Sequence, residues 1–152
     1  MVRASESGFS VARCPWTMEV AVPDDIRHLR HVDNVTISAL FNQGRNRFQA
    51  GLIEQGGPDG FSEQVIARIE IDFAAELLWT PIVTISGGIG RVGNSSFEVK
   101  MWLSSAGRSF ATCATTKVWM AHGRSRPISP EGRRTLSRFA LPDTFDRAQE
   151  GQ

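Results

Sequence analysis

The chain has 152 residues, of which 41% are apolar and 22% charged, and this composition suits one globular domain. A domain of this length buries roughly 70% of the surface that its unfolded chain exposes, so a sizeable core is available. The 17 basic and 16 acidic residues leave a net charge of +1, which excludes the strongly basic field that recruits nucleic acid or membrane surfaces.

The first residues lack the apolar segment of a signal peptide, and no stretch approaches the ~20 apolar residues of a membrane span. We therefore expect a cytoplasmic protein, one domain over residues 1–152, and an ordered core from about residue 16 to residue 139. Cys14 and Cys113 lack metal-ligand spacing, which predicts reduced thiols that are buried or incidental. No metal site and no cofactor are expected.

Residues 31–48 carry the pattern of a central helix. Asp33 and Asn34 are helix-starting residues, because their short side chains accept bonds from the first unpaired backbone N–H groups. Val35 and Ala39 add apolar surface on other faces, which predicts a helix enclosed by the rest of the fold. The main apolar face follows helical spacing and comprises Ile37, Leu40, Phe41, Gly44 and Phe48.

Alternation of apolar and polar residues predicts one strand before this helix and four after it, at residues 16–22, 68–73, 82–89, 97–103 and 110–120. The links at 93–95 and 104–107 are short enough for hairpin turns, whereas 51–63 contains GGPDG and predicts a loop. Ser129 before Pro130 predicts a short helix that ends at Phe139. This order is α+β, with an antiparallel sheet wrapped around a central helix.

Residues 88–93, GIGRVG, match the G-x-G-x-x-G fingerprint of dinucleotide-binding proteins. That fingerprint requires a helix after the glycines, whereas residues 95–103 alternate as a strand does. We interpret these glycines as permitting a bulge or bend in a sheet that wraps the helix.

The order of elements, with HVDN at residues 31–34 opening the helix, resembles the hotdog-fold acyl-CoA thioesterases of the 4-hydroxybenzoyl-CoA thioesterase-like superfamily. The family signature D-x-D-x-x-G-H-V-N-N corresponds to residues 25–34, DIRHLRHVDN. Residues 89–99, IGRVGNSSFEV, and 126–136, RPISPEGRRTL, are similar to two later segments of the family. The resemblance implies an acyl-CoA or acyl-carrier-protein thioester as substrate. It also implies a homodimer, or a dimer of dimers (homotetramer), with the acyl tunnel at the dimer interface.

This chain departs from the family at its catalytic carboxylates. Arg27 stands where many members have the aspartate that attacks the thioester or acts as general base. Arg30 and Asp33 replace the signature glycine and first asparagine. In a second branch a glutamate on the central helix acts, and this chain has Asn42 and Gln43 there. The alternative is therefore a hotdog protein that binds acyl-CoA or a partner without catalysis.

Thioester hydrolysis needs a base or nucleophile, oxyanion donors and a dry tunnel. The backbone N–H groups near Asn34 and Val35 are expected oxyanion donors, because they are unpaired and lie at the positive end of the helix dipole. Asp25 matches the first signature aspartate and is the candidate catalytic carboxylate, with a solvated turn residue as the alternative. His31 matches the signature histidine that positions the thioester, and a half-buried histidine bonded to backbone is the alternative. We interpret Asp33 as a helix cap in preference to a catalytic residue.

Substrate contacts are predicted at two places. Asn42 can orient a water molecule but cannot act as a base. Arg91 and Arg126 lie at strand ends or links, where the family holds the CoA phosphates, although a solvated surface arginine is the commoner role. A hydratase is a weaker alternative, because its D-x-N-P-x-H pattern is missing. The predicted catalytic set is Asp25, His31 and Asn34, and the predicted substrate-binding set is Val35, Asn42, Arg91 and Arg126.

Overall fold

The computed structural model describes residues 10–56 and 63–142. Two short 3₁₀ turns, Val11–Arg13 and Asp24–Leu29, flank the first strand. The predicted order of one strand, a long helix and four antiparallel strands is confirmed, and β2 pairs with β5 instead of with its neighbour in sequence. The elements are β1 (Trp16–Ala21), α1 (Asn34–Gly56), β2 (Gln64–Phe73), β3 (Ile82–Val92), β4 (Ser96–Ser105), β5 (Arg108–Ala121), β6 (Arg124–Ser125) and α2 (Pro130–Arg138).

The strands form one antiparallel sheet in the order β1-β3-β4-β5-β2, with β6 paired to β5. Both predicted hairpin links are confirmed, since β3 pairs with β4 and β4 with β5. The second link turns at Ala106 and Gly107, whose φ angles of 50° and 78° are both positive. Two positive φ angles are what a two-residue hairpin needs to follow the twist of its strands.

The start of α1 follows from its cap, and its end differs from the prediction. The helix begins after Asp33, whose Oδ1 accepts the Thr36 N–H at 2.9 Å. It continues eight residues past Phe48 to Gly56, because Leu52 extends the apolar face and is fully buried. The prediction of a loop is therefore wrong for residues 51–56. Residues 57–62 of the predicted loop lie outside the described part of the chain. No helix within the described ranges is long and apolar enough to cross a membrane.

One face of α1 packs against the sheet, and the opposite face is open. The prediction of a helix enclosed on all sides is wrong within this chain, because Val35 is 68% exposed and Ala39 is not buried either. Gly44 permits the close approach of helix and sheet: a Cβ there would lie 2.9 Å from Ile85 Cγ2. The buried face otherwise follows the predicted spacing and comprises Ile37, Leu40, Phe41, Gly44, Arg45, Phe48 and Leu52.

The edge strand β2 exposes the apolar side that should face a core. It begins at Gln64, four residues before the predicted start, and its register shifts between Ile66 and Arg68. Ile66, Ile69 and Phe73 are 47%, 44% and 51% exposed. α1 packs on β1, β3 and β4 instead, so the described part of this chain leaves the apolar side of β2 open.

The glycine-rich run lies at the end of β3, which extends past the predicted residue 89 to Val92, and Gly93 belongs to the link that follows. The register between β3 and β4 shifts between Ile89 and Val92, which is the expected irregularity. A strand and not a helix follows the glycines, so the interpretation of a sheet bend is confirmed. Gly88 permits a close approach, because a Cβ there would lie 2.6 Å from the Phe139 carbonyl oxygen.

The closing helix α2 is confirmed with its predicted cap. Ser129 Oγ accepts the Gly132 N–H at 3.0 Å, and Pro130 occupies the first helical position. Phe139 follows the helix and packs edge-on against Phe48 of α1, with ring centroids 5.4 Å apart. The end of the described chain is thereby fastened to the central helix.

Candidate functional site

The start of α1 presents two backbone N–H groups that bind no acceptor within residues 10–56 and 63–142. Asp33 closes the first turn, since its side chain accepts the Thr36 N–H and its carbonyl accepts the Ile37 N–H at 3.0 Å. Bonds from the Thr36 side chain and then from its backbone lower the pKa of Asp33, so the cap is ionised at neutral pH. The prediction of Asp33 as a cap is confirmed. Among the described residues, no acceptor binds the amides of Asn34 and Val35, and such a pair can hold an anionic oxygen.

The segment before α1 is connected by hydrogen bonds and a cation–π contact to residues 77–79, which precede β3. The Arg27 guanidinium lies 4.8 Å from the centroid of the Trp79 ring. The Trp79 indole N–H donates to the Pro23 carbonyl at 3.0 Å, and its backbone N–H donates to the Arg30 carbonyl at 2.8 Å. Arg30 adopts a positive φ of 68°, which turns the chain toward the helix. These contacts hold the 3₁₀ turn Asp24–Leu29 in one position beside the helix start.

The predicted catalytic side chains Asp25 and His31 lie on this fastened segment. Asp25 is in the 3₁₀ turn and is exposed. The His31 side chain is half-exposed, and its Nδ1 lies 3.8 Å from Glu76 Oε1. Glu76 was missed from the sequence, because nothing local marks a residue so distant in the chain as a neighbour of the helix start. The structure therefore gathers Asp25, His31 and Asn34 at one end of the sheet and adds Glu76.

The predicted substrate residues are divided between two ends of the molecule. Val35 and Asn42 share α1 with Asn34, and Asn42 Oδ1 accepts a bond from Arg45 Nη2 at 3.4 Å. Arg91 lies on β3 nine residues after Ile82, the partner of Ala21 at the end of β1. At a rise of about 3.3 Å per residue this is about 30 Å along the strand. Arg126 lies at that distant end too, since its N–H donates to the Trp119 carbonyl near the end of β5.

Arg91 borders a groove of about 580 Å³ on the sheet face that points away from α1. Three carboxylates line the same groove, and Lys100 Nζ lies 3.5 Å from Glu98 Oε1. A coenzyme phosphate placed there would meet negative as well as positive charge. The groove also includes Glu70, Asp72, Trp102 and Thr112.

Neither cysteine is suited to nucleophilic catalysis. Burial raises the pKa of the Cys14 thiol to about 11. Burial also raises the pKa of Cys113, against opposing effects of Thr115 and Arg45. The reactive form of cysteine is the thiolate, which is scarce in both at neutral pH. Both thiols are free, and the described part of the chain holds no cluster of three or more His, Cys, Asp or Glu suited to a metal ion.

Solved structures of other proteins share this arrangement of sheet and central helix. A thioesterase from Thermus thermophilus, solved with coenzyme A and zinc, matches with a TM-score of 0.69 and 24% identity, over 92% of this chain and 97% of its own. A predicted thioesterase from Bacillus stearothermophilus matches with a TM-score of 0.70 and 23% identity, over 84% of this chain and 98% of its own.

A gentisyl-coenzyme A thioesterase also matches, with a TM-score of 0.64 and 18% identity, over 80% of this chain and 99% of its own. No family model and no curated protein matches the chain. At these identities the structural likeness establishes the fold, and the chain has the predicted hotdog fold.

Proposed function

We propose that this protein hydrolyses an acyl thioester of coenzyme A or of a carrier protein at the start of α1. The observation that carries the proposal is the pair of amides at Asn34 and Val35, which bind no acceptor in the described part of the chain and lie at the same end of the sheet as Asp25 and His31. The neighbours with the same fold support this class of reaction, because they are named thioesterases and one was solved with coenzyme A.

In this mechanism the helix start binds the thioester carbonyl oxygen. Asp25 removes a proton from a water molecule that attacks the carbonyl carbon, and His31 positions the thioester. The negative oxygen of the tetrahedral intermediate accepts bonds from the Asn34 and Val35 amides, an interaction worth about 10²–10³ in rate per donor. Collapse of the intermediate breaks the carbon–sulfur bond, and the thiolate leaves and takes up a proton.

A second copy of this chain is the expected cover for β2. An edge strand with an apolar side has backbone N–H and C=O groups that can bond to another strand. In a two-fold symmetric dimer these groups bond to the same strand of the second copy. Two β2 strands paired in antiparallel fashion bring the Gln64 end of one chain to the Phe73 end of the other. Arg91 and Arg126 lie at the Gln64 end, and Asp25 lies at the Phe73 end. Such a dimer places the two groups of predicted residues at the same end of the joined sheet, whereas one chain holds them at opposite ends.

The second candidate function is binding of acyl-CoA without hydrolysis. It is favoured by Arg27, which stands at the signature carboxylate and is engaged with the Trp79 ring at 4.8 Å. A guanidinium is charged at every accessible pH and cannot serve as the base. On this alternative Arg27 has only a structural role, and Asp25 is a solvated residue.

A thiol-release screen over saturated, branched and aromatic acyl-CoAs and their carrier-protein counterparts separates the candidates. Hydrolysis predicts release of free thiol in proportion to protein added, with saturation kinetics. Tight binding of a substrate without release from any thioester supports the binding protein. Addition of water to an enoyl thioester, with the thioester intact, supports a hydratase.

A further inference from the structure

Two cations lie buried between α1 and β5. Arg45, from the helix, is 6% exposed, and Lys117, from the strand, is 8% exposed. Arg45 donates from Nη1 to the Cys113 sulfur at 3.5 Å and from Nη2 to Asn42 Oδ1 at 3.4 Å. Lys117 Nζ donates to Gln49 Oε1 at 2.9 Å. All three acceptors are neutral, so none of these bonds compensates the positive charge.

The surrounding strands do not supply a counter-ion either. In the register of the sheet, β4 places Phe97 and Val99 beside the Lys117 region of β5, and β2 places Ile66 and Ile69 there. In the part of the chain that the structure describes, the ion pairs lie elsewhere and include neither cation. Among residues 10–56 and 63–142, the cluster therefore has neutral hydrogen-bond partners and apolar neighbours but no counter-ion.

This charge is energetically costly to the folded protein. Burial and then the positive charge of Arg45 lower the pKa of Lys117 to about 8. Arg45 Nε is buried and has no hydrogen-bond acceptor among the described residues. A buried cation without a counter-ion and a buried donor without an acceptor both oppose folding. Such groups concentrate at functional sites, where a ligand supplies what the fold does not.

We propose that Arg45 and Lys117 form the far end of the acyl pocket and bind a carboxylate carried by the acyl group of the substrate. This inference rests on the proposed hydrolysis of a thioester. Ile66 and Ile69 provide the apolar wall for a hydrocarbon chain, and both are partly exposed on the open side of β2. A carboxylate matches a guanidinium geometrically and gains charge-assisted bonds from both cations. Inorganic phosphate fits less well, since the isoleucines offer its remaining oxygens no donor.

The spacing along α1 sets the size of the acyl group. Asn42, which binds the Arg45 guanidinium, lies eight residues after Asn34, and Gln49, which binds Lys117, lies fifteen residues after it. At 1.5 Å per residue a carboxylate held by both cations lies about 12–22 Å from the thioester along the helix axis. The substrate class is therefore a thioester of a long-chain dicarboxylic acid.

Binding is tested first, without reference to turnover. Octanoate is titrated into the full-length ¹⁵N-labelled protein while the Nε–Hε resonance of Arg45 is followed by NMR, with octanol as the uncharged probe of equal length. Octanoate, but not octanol, should shift this resonance. Calorimetry should then show affinity for octanoate about tenfold to a hundredfold weaker in Arg45→Met. Arg47→Met, which alters an exposed arginine of the same helix, should bind as the wild type does.

Turnover is tested with tetradecanedioyl-CoA and tetradecanoyl-CoA, which differ only in the far carboxylate. The wild type should favour tetradecanedioyl-CoA by at least about tenfold in kcat/KM. Arg45→Met and Lys117→Met should lose that preference, whereas Arg45→Lys should retain part of it. An unchanged preference in both methionine variants, or a wild-type preference for tetradecanoyl-CoA, overturns the assignment.

The two experiments separate this inference from the proposed function. If no thioester is hydrolysed but octanoate shifts the Arg45 resonance, the hydrolase proposal fails and the carboxylate site stands. If octanoate leaves the resonance unmoved, or octanol moves it equally, the carboxylate site is wrong whether or not thioesters are hydrolysed. A carboxylate of a second copy that neutralises the cations would give this second result.

Discussion

Gly44 provides the sharpest test of how closely α1 packs on the sheet. A Cβ at this position would lie 2.9 Å from Ile85 Cγ2 and 3.4 Å from Met101 Sδ. Ile85 is fully buried and β-branched, so its methyl group cannot rotate away without disturbing the core. Overpacking of this kind costs about 1–3 kcal/mol, against a helix-propensity gain of about 1 kcal/mol for replacing glycine with alanine. We expect Gly44→Ala to lower the free energy of unfolding by about 1 kcal/mol.

Gly51 is the matched control on the same helix. A Cβ there meets nothing within 4 Å, so Gly51→Ala should gain the propensity term and stabilise the protein by up to about 1 kcal/mol. Urea denaturation with a common m-value measures both variants. The difference of about 2 kcal/mol corresponds to about 4–8 °C in Tm for a domain of this size. Equal or higher stability of Gly44→Ala would show that the helix is not held at contact distance.

Three further predictions concern the buried lysine, the cap of α2 and the edge strand. Burial and Arg45 lower the pKa of Lys117 from 10.5 to about 8, so the unfolded chain binds the extra proton between these pH values. The free energy of unfolding of the wild type minus that of Lys117→Met should therefore be constant below pH 8 and rise from about pH 8 to 10.5 in calorimetry. A difference that does not change with pH contradicts this. Ser129→Ala removes the acceptor for the Gly132 N–H and should cost about 1 kcal/mol in urea denaturation, and an unchanged midpoint counts against the cap. Ile69→Glu should convert a dimer into monomers in sedimentation velocity, and a dimer that persists opposes pairing through β2.

The buried face of α1 and the order of the strands could be predicted because periodicity identifies which side chains share a face. Periodicity does not say what covers a face, so Val35 and Ala39 were expected to be buried and are not. The end of α1 was missed because Gly51 was grouped with the following loop. A glycine in open space is tolerated inside a helix that Leu52 anchors.

The local parts of the candidate site were accessible from the sequence, and its long-range parts were not. The Asp33 cap depends on residues within one helical turn, and it was predicted. The contacts of Arg27 with Trp79 and of His31 with Glu76 join residues far apart in the chain, and no local pattern indicates them.

The buried cations were missed for a different reason. A charged residue in an alternating or helical pattern is ordinarily assigned to solvent. One signal was available, because Lys117 and Trp119 share a face of the predicted strand 110–120 and a tryptophan on a strand favours burial of its face. In the structure Trp119 is almost fully buried.

The most direct test of thioester hydrolysis at the start of α1 compares two neighbouring aspartates of the same exposed turn. Asp25→Asn keeps size and polarity and removes the carboxylate, and Asp24→Asn is the matched control. With the best acyl-CoA substrate, thiol release by Asp25→Asn should fall by about 10²–10⁴, the usual value of a catalytic base, while Asp24→Asn stays near the wild-type rate. Equal rates for wild type and Asp25→Asn would contradict the assignment of Asp25 as the base.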